Sequence, residues 1–167
     1  MGDGKTMTYD IREVYSGSEQ ISRLCQSMGL KVRGAVDLAT QWNLLWRAHQ
    51  LELPNQMKEE PSYILWLDPP GAATNSGSKQ GRAIARFTAD MFSLQLDMGY
   101  DVVLDSTAGG HFWQQPELEP VYRRERIRDR KYSWCSLGAM DPIRRRPWHR
   151  TRRLLTALEH RHLCKDW

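Results

Sequence analysis

The sequence predicts an α/β fold built around a mostly parallel sheet. Short apolar runs that fit buried strands alternate with longer segments of helical periodicity, and glycine or proline turns separate them. The clearest strand covers residues 63–67 and ends at Asp68-Pro69-Pro70. Because proline lacks the N–H that a strand ladder needs, Asp68 should lie at the carboxyl end of a central strand. Open α/β sheets bind their ligands at that edge.

The first part of the chain predicts a strand, a helix and a second strand. Residues 10–15 fit a strand, and a turn at residues 16–18 leads into a helix with Ser18 as its N-cap. Gly29 is suited to ending that helix, and residues 30–36 fit the next strand. Together they have the length of a unit in which a helix joins two parallel strands.

The rest of the chain continues this alternation. Helical periodicity predicts helices at residues 42–53, 79–98 and 116–122. Strands are expected at residues 101–105, 132–137 and 152–157, and a polar linker at residues 54–61.

Length and composition fit one globular domain. The chain has 167 residues, of which 40% are hydrophobic and 26% are charged. We expect residues 1–8 to form a flexible tail and residues 9–167 a single domain. The sequence shows neither an apolar leader nor a long apolar run, so no contact with a membrane is expected. Three widely spaced cysteines favour an intracellular location, with nucleus and cytoplasm both open, and no metal site is expected.

Charge is divided unequally along the chain. Residues 1–120 carry 10 Lys and Arg against 15 Asp and Glu, whereas residues 121–167 carry 14 against 5. Such a basic region indicates a nucleic acid or an acidic protein as partner. For residues 123–130 we favour a solvated face paired with its own acids. Nucleic-acid contact is favoured for a cluster next to Trp148, which consists of Arg144, Arg145, Arg146 and Arg150.

Two further motifs suggest a nucleotide-like ligand. A strand that turns through Gly17 into a helix brings backbone N–H groups close to a ligand, although the second glycine of the usual GxG is missing. Asp37 follows Gly17 by 20 residues, the spacing at which an acidic side chain binds ribose hydroxyls. An ordinary turn at Gly17 and a strand-end cap at Asp37 remain alternatives.

The third motif is Asp68-Pro69-Pro70. A carboxylate and proline carbonyls at a strand end can accept hydrogen bonds from an exocyclic amino group. A rigid exit from the strand is the alternative interpretation.

Taken in order, these motifs resemble a class I S-adenosylmethionine-dependent methyltransferase. The similarity is greater to DNA-methyltransferase-like domains that have a Glu-x-Phe-Ser-Gly motif and a Pro-Pro-Cys loop, and it covers residues 10–164. Asp105-Ser-Thr resembles their Glu-Asn-Pro, Cys135-Ser-Leu-Gly138 their Cys-x-(Tyr/Phe)-Gly, and residues 150–156 their Lys-x-Thr-Arg-x-Leu-Thr strand. The resemblance implies a Rossmann-like three-layer sandwich with antiparallel C-terminal strands.

The resemblance also implies site residues and a cofactor, S-adenosylmethionine (SAM). The methionine part of SAM would contact Tyr15, Ser16, Gly17 and Ser18, and its ribose would contact Asp37. Asp68, Pro69 and Pro70 would be catalytic and would orient an exocyclic amino group of a nucleic acid, with DNA favoured over RNA.

Gly71 departs from the family pattern. Cytosine-5 enzymes need a cysteine nucleophile at this position, and amino-methyltransferases usually carry an aromatic residue that stacks on the flipped base. Two hypotheses therefore stay open. The chain is either a nucleic-acid methyltransferase acting on an amino group, or an inactive methyltransferase-like scaffold that binds nucleic acid or a protein through its basic C-terminal region.

Overall fold

A computed structural model of the chain describes residues 9–70, 78–125, 127–133 and 151–157. The strands are β1 (Tyr9–Val14), β2 (Val32–Val36), β3 (Ser62–Leu67), β4 (Asp101–Thr107), β5 (Arg128–Ser133) and β6 (Thr151–Ala157). The helices are α1 (Gln20–Ser27), α2 (Arg47–Glu59), α3 (Lys79–Asp97) and α4 (Glu119–Tyr122), with short 3₁₀ helices at Leu38–Thr40, His111–Gln114 and Pro116–Leu118. None of the helices in these ranges is long and apolar enough to cross a membrane.

The described strands form one six-stranded sheet in the order β2-β1-β3-β4-β6-β5. The first four are parallel, β6 runs antiparallel to β4, and β5 runs antiparallel to β6. The predicted α/β fold, with a mostly parallel sheet and antiparallel C-terminal strands, is confirmed.

Helices cover both faces of the sheet. Neighbouring residues of a strand point to opposite faces. In β1, the Arg12 guanidinium donates to Gln56 of α2 at 2.8 Å, whereas the Glu13 carboxylate accepts from Ser22 of α1. The two helices therefore lie on opposite sides, and α3 packs beside α2. The three-layer prediction is confirmed.

Helix α3 packs against β3 and β4 and contributes much of the core. The periodicity of α3 buries Ile84, Phe87 and Met91 on one face, as the sequence predicts. Against them β4 contributes a continuous buried run from Asp101 to Ser106. A strand buried on both faces belongs at the centre of a parallel sheet.

The predicted helix at residues 42–53 and linker at residues 54–61 are wrong. Helix α2 begins at Arg47 and continues through Pro54 to Glu59. Leu53 and Met57 are four residues apart, lie on either side of the proline and are both fully packed into the core. Burying two large side chains, at about 1.5–3 kcal/mol each, offsets the roughly 3 kcal/mol that an interior proline costs a helix.

The other boundaries shift by a few residues. The fifth strand begins at Arg128 rather than at residue 132, because its side chains on an edge strand can stay in solvent. Residues 128–130 are all exposed, as the predicted solvated face requires. Among the described residues, the expected pairing within the run is not seen, because Asp129 pairs with Arg153 of β6 and Arg124 pairs with Asp97. Helix α1 begins at Gln20 with Glu19 as N-cap, so Ser18 does not cap it.

The topology places the ends of four parallel strands along one edge. The backbone N–H of Tyr15 donates to the Val36 carbonyl at 2.7 Å, and that of Asp68 donates to the Val14 carbonyl at 3.0 Å. The residues that follow β1, β2 and β3 are thereby held side by side. We call this the carboxyl edge of the sheet.

Candidate active site

The turn after β1 is unusually tight. Tyr15, Gly17 and Glu19 all have positive φ angles, of 62°, 52° and 56°. Two of these are not glycines, and such backbone strain clusters at ligand sites. The Tyr15 hydroxyl accepts a 3.4 Å hydrogen bond from Thr88 of α3, and burial raises the pKa of Tyr15. The neutral phenol therefore anchors the turn to the core.

Glu13 holds the start of α1. The N-cap of α1 supplies no side-chain hydrogen bond. Instead, the buried Glu13 carboxylate accepts from the backbone N–H of Ser22 at 2.9 Å and from its hydroxyl at 2.6 Å. A carboxylate is favourable at a helix N-terminus, where backbone N–H groups lack partners. Glu13 begins the sequence Glu-Val-Tyr-Ser-Gly, which corresponds to the family's Glu-x-Phe-Ser-Gly, and its contacts with Ser22 give it a structural role.

Asp37 links the ends of β1 and β2. One carboxylate oxygen accepts from the backbone N–H of Gly17 at 3.1 Å, and the other accepts from that of Ala39 at 3.1 Å. The Asp37 backbone N–H donates to the Thr40 hydroxyl, which completes a capping box. The strand-end cap is therefore present. It also fixes the carboxylate beside Gly17, where the ribose prediction requires it.

Asp68 belongs to a charged network with β4 and β6. The Arg152 guanidinium donates to Asp68 at 2.5 Å and to Asp105 at 2.9 Å. Asp105 also accepts from the Tyr132 hydroxyl at 2.8 Å. The Arg152 and Asp105 side chains are each 8% exposed, whereas that of Asp68 is 38% exposed. Arg152 therefore joins one buried and one partly solvated carboxylate.

The protonation of Asp68 reflects this position. Burial raises the pKa of the Asp68 carboxyl to about 6, while the charge and hydrogen bond of Arg152 oppose the rise. At neutral pH the carboxylate form prevails, with one oxygen engaged by the guanidinium.

The proline that follows Asp68 is also engaged. The Ser106 hydroxyl donates to the Pro69 carbonyl at 3.0 Å. A carbonyl oxygen has two lone pairs, so one remains for a ligand. Ser106 is fully buried in β4 and thus fixes the direction in which the chain leaves β3.

One cavity of about 560 Å³ opens on the carboxyl edge. It unites six of the predicted site residues, namely Tyr15, Gly17, Asp37, Asp68, Pro69 and Pro70. Its other walls come from the segment after β2, from α3, and from one residue each of β4 and β6. These lining residues are Leu38, Trp42, Asn43, Leu44, Leu45, Gln80, Ile84, Thr107 and Arg152. Ser16 and Ser18 are not among the lining residues.

Arg152 and Trp42 are site residues that sequence reasoning missed. Arginine side chains in strands are usually exposed, so the sequence Arg152-Arg153 does not indicate which of the two side chains is buried. A signal did exist, because Asp68 and Asp105 end or follow neighbouring buried strands and two such carboxylates need a nearby cation. Trp42 follows the 3₁₀ turn that the Asp37 cap begins, and the predicted helix placed it elsewhere.

Several predicted residues lie outside the described ranges. These are Gly71 and the nucleic-acid cluster Arg144, Arg145, Arg146 and Arg150, together with Trp148. Their roles stay predictions.

No family model and no curated protein matches the sequence. Solved structures do match. A candidate DNA modification methyltransferase encoded within an E. coli prophage superimposes with a TM-score of 0.58 at 14% identity, over 89% of this chain and 46% of that one. S. pombe Dnmt2 methyltransferase superimposes with a TM-score of 0.52 at 9% identity, over 95% of this chain and 51% of that one.

The fold is that of class I methyltransferases. The resemblance that the motifs predicted is confirmed at the level of fold. This chain spans about half the length of either methyltransferase it matches. At such low identity the likeness supports the methyltransferase-like architecture, while substrate and activity have to be argued from the site.

Proposed function

We propose that the chain is a SAM-binding, nucleic-acid methyltransferase-like domain whose cofactor lies in the carboxyl-edge cavity. The observation that carries this proposal is the single cavity shared by Gly17, Asp37 and Asp68. Its volume falls in the range of small-molecule sites, roughly 300–1,000 Å³. Cofactor residues and catalytic candidates therefore face the same space.

The lining has the chemistry that SAM needs. Asp37 offers a fixed carboxylate to ribose hydroxyls, since each of its oxygens keeps a lone pair beyond its backbone bond. Leu38, Trp42 and Ile84 provide apolar and aromatic surface for the adenine ring. The Ser16 hydroxyl is buried without a partner among the described residues. It does not line the cavity, so it adds no contact to this proposal.

Bound SAM would supply a methyl group attached to a sulfonium sulfur. Asp68 would accept an N–H of the target amino group through its free carboxylate oxygen and direct the nitrogen lone pair at the methyl group. Arg152 holds that carboxylate in one orientation, and Ser106 holds the adjoining Pro69 carbonyl. Positioning of this kind supplies much of the rate of such transfers.

A second candidate function is a scaffold without transfer. The same two contacts favour it, because Arg152 and Ser106 already occupy one lone pair on each predicted acceptor. A guanidinium beside Asp68 also repels the positive charge that develops on an attacking amino nitrogen. Under this alternative the cavity binds SAM, or a related nucleoside, without catalysis.

Isothermal calorimetry with SAM tests the cofactor proposal. We expect saturable binding by the wild-type chain and at least roughly tenfold weaker binding by Asp37→Asn, because a lost charge-assisted hydrogen bond is worth about 1.5–3 kcal/mol. Asp90→Asn, an equal change on the exposed surface of α3, should bind as the wild type does. Wild-type protein that releases no heat at high SAM concentration would overturn the proposal.

Transfer of a labelled methyl group to DNA or RNA separates the two functions. In an active enzyme, Asp68→Ala should abolish transfer while SAM still binds. Transfer that persists in Asp68→Ala would remove Asp68 from catalysis. A wild-type chain that binds SAM and nucleic acid but transfers nothing would establish the scaffold.

A further inference from the structure

A second large depression lies on the other side of α3 from the cavity. It is a groove of about 530 Å³ between α2, α3 and the Pro116–Leu118 turn. Buried side chains of α3 form its floor, and charged side chains form its rims. The lining residues on α3 that carry the argument are Lys79, Arg82, Ala83, Arg86, Phe87 and Asp90. We call this the α2/α3 groove.

Cations dominate the rims of the groove. Arg47 of α2 and Lys79, Arg82 and Arg86 of α3 all line it and all are exposed. Only Asp90 and Glu117 oppose them, which leaves a net formal charge of four minus two, or +2. This excess stands out because residues 1–120 carry a net charge of −5. Four of the ten cations of the acidic part of the chain thus line one groove.

Two of the four cations of the groove form no ion pair with any described residue. Arg82 donates to Glu117 at 2.6 Å, and Arg86 interacts electrostatically with Asp90. Arg47 and Lys79 form no ion pair with the part of the chain that the structure describes. Since an unpaired surface cation attracts phosphate, these two are the first candidates for contact with a polyanion.

The groove begins at the carboxyl edge of the sheet. Helices that connect parallel strands start at that edge, so Arg47 and Lys79, the first residues of α2 and α3, lie there. On α3, Gln80 and Ile84 line the SAM cavity, while Lys79 and Ala83 line the groove. A single helix, about 10–12 Å across with side chains, therefore separates the two sites.

The spacing of the cations suits a phosphate backbone. Lys79 and Arg86 lie seven residues apart on α3, or about 10 Å along its axis. One strand of a duplex carries a phosphate every ~3.4 Å along its axis, so this interval corresponds to about three phosphates. A small anion would need one of these cations, whereas a row of them fits a polymer of charges.

We infer that the α2/α3 groove binds the phosphate backbone of a nucleic acid whose neighbouring nucleotide reaches the SAM cavity. This inference deepens the proposed function and rests on it for the role of the cavity. The cations of the groove come from α2 and α3, and none of them belongs to the predicted cluster at residues 144–150. It would position the substrate without reading its sequence.

Fluorescence anisotropy of a short labelled oligonucleotide tests the inference. We expect Arg47→Gln/Lys79→Gln to weaken binding roughly tenfold at physiological salt and to reduce the slope of log affinity against log salt by about 1.4, or 0.7 for each lost single-strand contact. The matched control is Arg23→Gln/Lys31→Gln, which removes two exposed cations that do not line the groove. It should retain the wild-type affinity and slope.

A variant that is expected to bind more tightly separates a true effect on binding from a loss of folded protein. Asp90→Asn removes a negative charge from the groove, so it should tighten binding by a few fold. Equal losses in the groove and control variants, or no change in either groove variant, would overturn the inference, as would a wild-type chain that does not bind the oligonucleotide. Calorimetry with SAM is independent of these readouts, so failure of the cofactor proposal is distinguishable from failure of the groove.

Discussion

Arg152 should be the most sensitive residue of the C-terminal sheet. Its guanidinium contacts the carboxylates of Asp68 and Asp105 from a strand antiparallel to β4. The perturbation we propose is Arg152→Gln, which keeps a polar side chain of intermediate length but removes the charge. The variant leaves Asp105 buried without its cation, although the Tyr132 hydroxyl still donates to the Asp105 carboxylate.

The expected loss of stability in Arg152→Gln follows from the burial of the ion pair between Arg152 and Asp105. Breaking a buried ion pair by removing one partner costs about 3–5 kcal/mol, because the other charge stays uncompensated. Since the Arg152 and Asp105 side chains are each 8% exposed, this regime applies to their contact. The Asp68 side chain is 38% exposed, so water can solvate its carboxylate when Arg152 is removed. We therefore expect the lost contact between Arg152 and Asp68 to change the free energy of unfolding little. The expected loss in free energy of unfolding is about 3 kcal/mol.

The neighbouring residue provides a matched control. Arg153 points to the opposite face of β6, where it pairs with the more exposed Asp129 and lies over the ring of Trp113. Exposed pairs and cation–π contacts contribute about 0.5–1 kcal/mol each. Arg153→Gln should therefore cost roughly 1–2 kcal/mol, clearly less than the same substitution one residue earlier.

Urea denaturation followed by tryptophan fluorescence measures both variants. The double variant Asp105→Asn/Arg152→Gln should recover part of the loss, since it removes the stranded charge as well as its partner. An Arg152→Gln variant no less stable than Arg153→Gln, or a double variant whose losses simply add, would refute the view that a buried ion pair joins β6 to the carboxyl edge.

Three further predictions concern the turn and the carboxyl edge. Glu13→Gln should lower the free energy of unfolding by about 1–2 kcal/mol in urea titrations, because the amide accepts more weakly from Ser22; an unchanged value would contradict the capping role. Gly17→Ala should cost about 1 kcal/mol through its positive φ, with no steric clash, and a gain in stability would contradict this. If Asp68 is catalytic, initial rates of transfer should fall as pH drops through about 6, where its carboxylate is lost. That midpoint should move to higher pH in Arg152→Gln, and a flat profile would count against Asp68.

The sequence predicted the sheet, and the edge at which the candidate site residues meet, because both depend on local patterns. Apolar runs bounded by turns located β1, β3 and β4 to within a few residues. Once the strands were taken as parallel, Gly17, Asp37 and Asp68 had to meet, since each follows the carboxyl end of a strand. Their union in one cavity follows from topology rather than from any single motif.

The sequence could not predict features that depend on long-range packing. Pro54 marks a helix end by local rules, but burial of Leu53 and Met57 carries α2 through it. The α2/α3 groove is another feature that depends on long-range packing. The spacing of Lys79, Arg82 and Arg86 indicates a basic face of a helix, yet only the packed structure shows Arg47 of another helix across from it.

Arg152, whose burial the sequence could not predict, also bears on whether the domain is catalytically active. From the sequence, Asp68-Pro69-Pro70 looked like a set of free acceptors. In the structure the Asp68 carboxylate and the Pro69 carbonyl each have a protein donor. The donors come from strands that lie far from Asp68 along the chain: β4 is the neighbour of β3 in the sheet, and β6 is the next strand beyond β4. A donor of this kind can fix an acceptor for catalysis or occupy it in place of a substrate. Because the Asp68 side chain is 38% exposed, an amino group can still reach the carboxylate. If the domain catalyses transfer, the charge on Arg152 then affects how favourable that transfer is. Neutralising Arg152 should therefore raise the rate if its charge hinders transfer, and lower the rate if its hydrogen bond to Asp68 orients the acceptor.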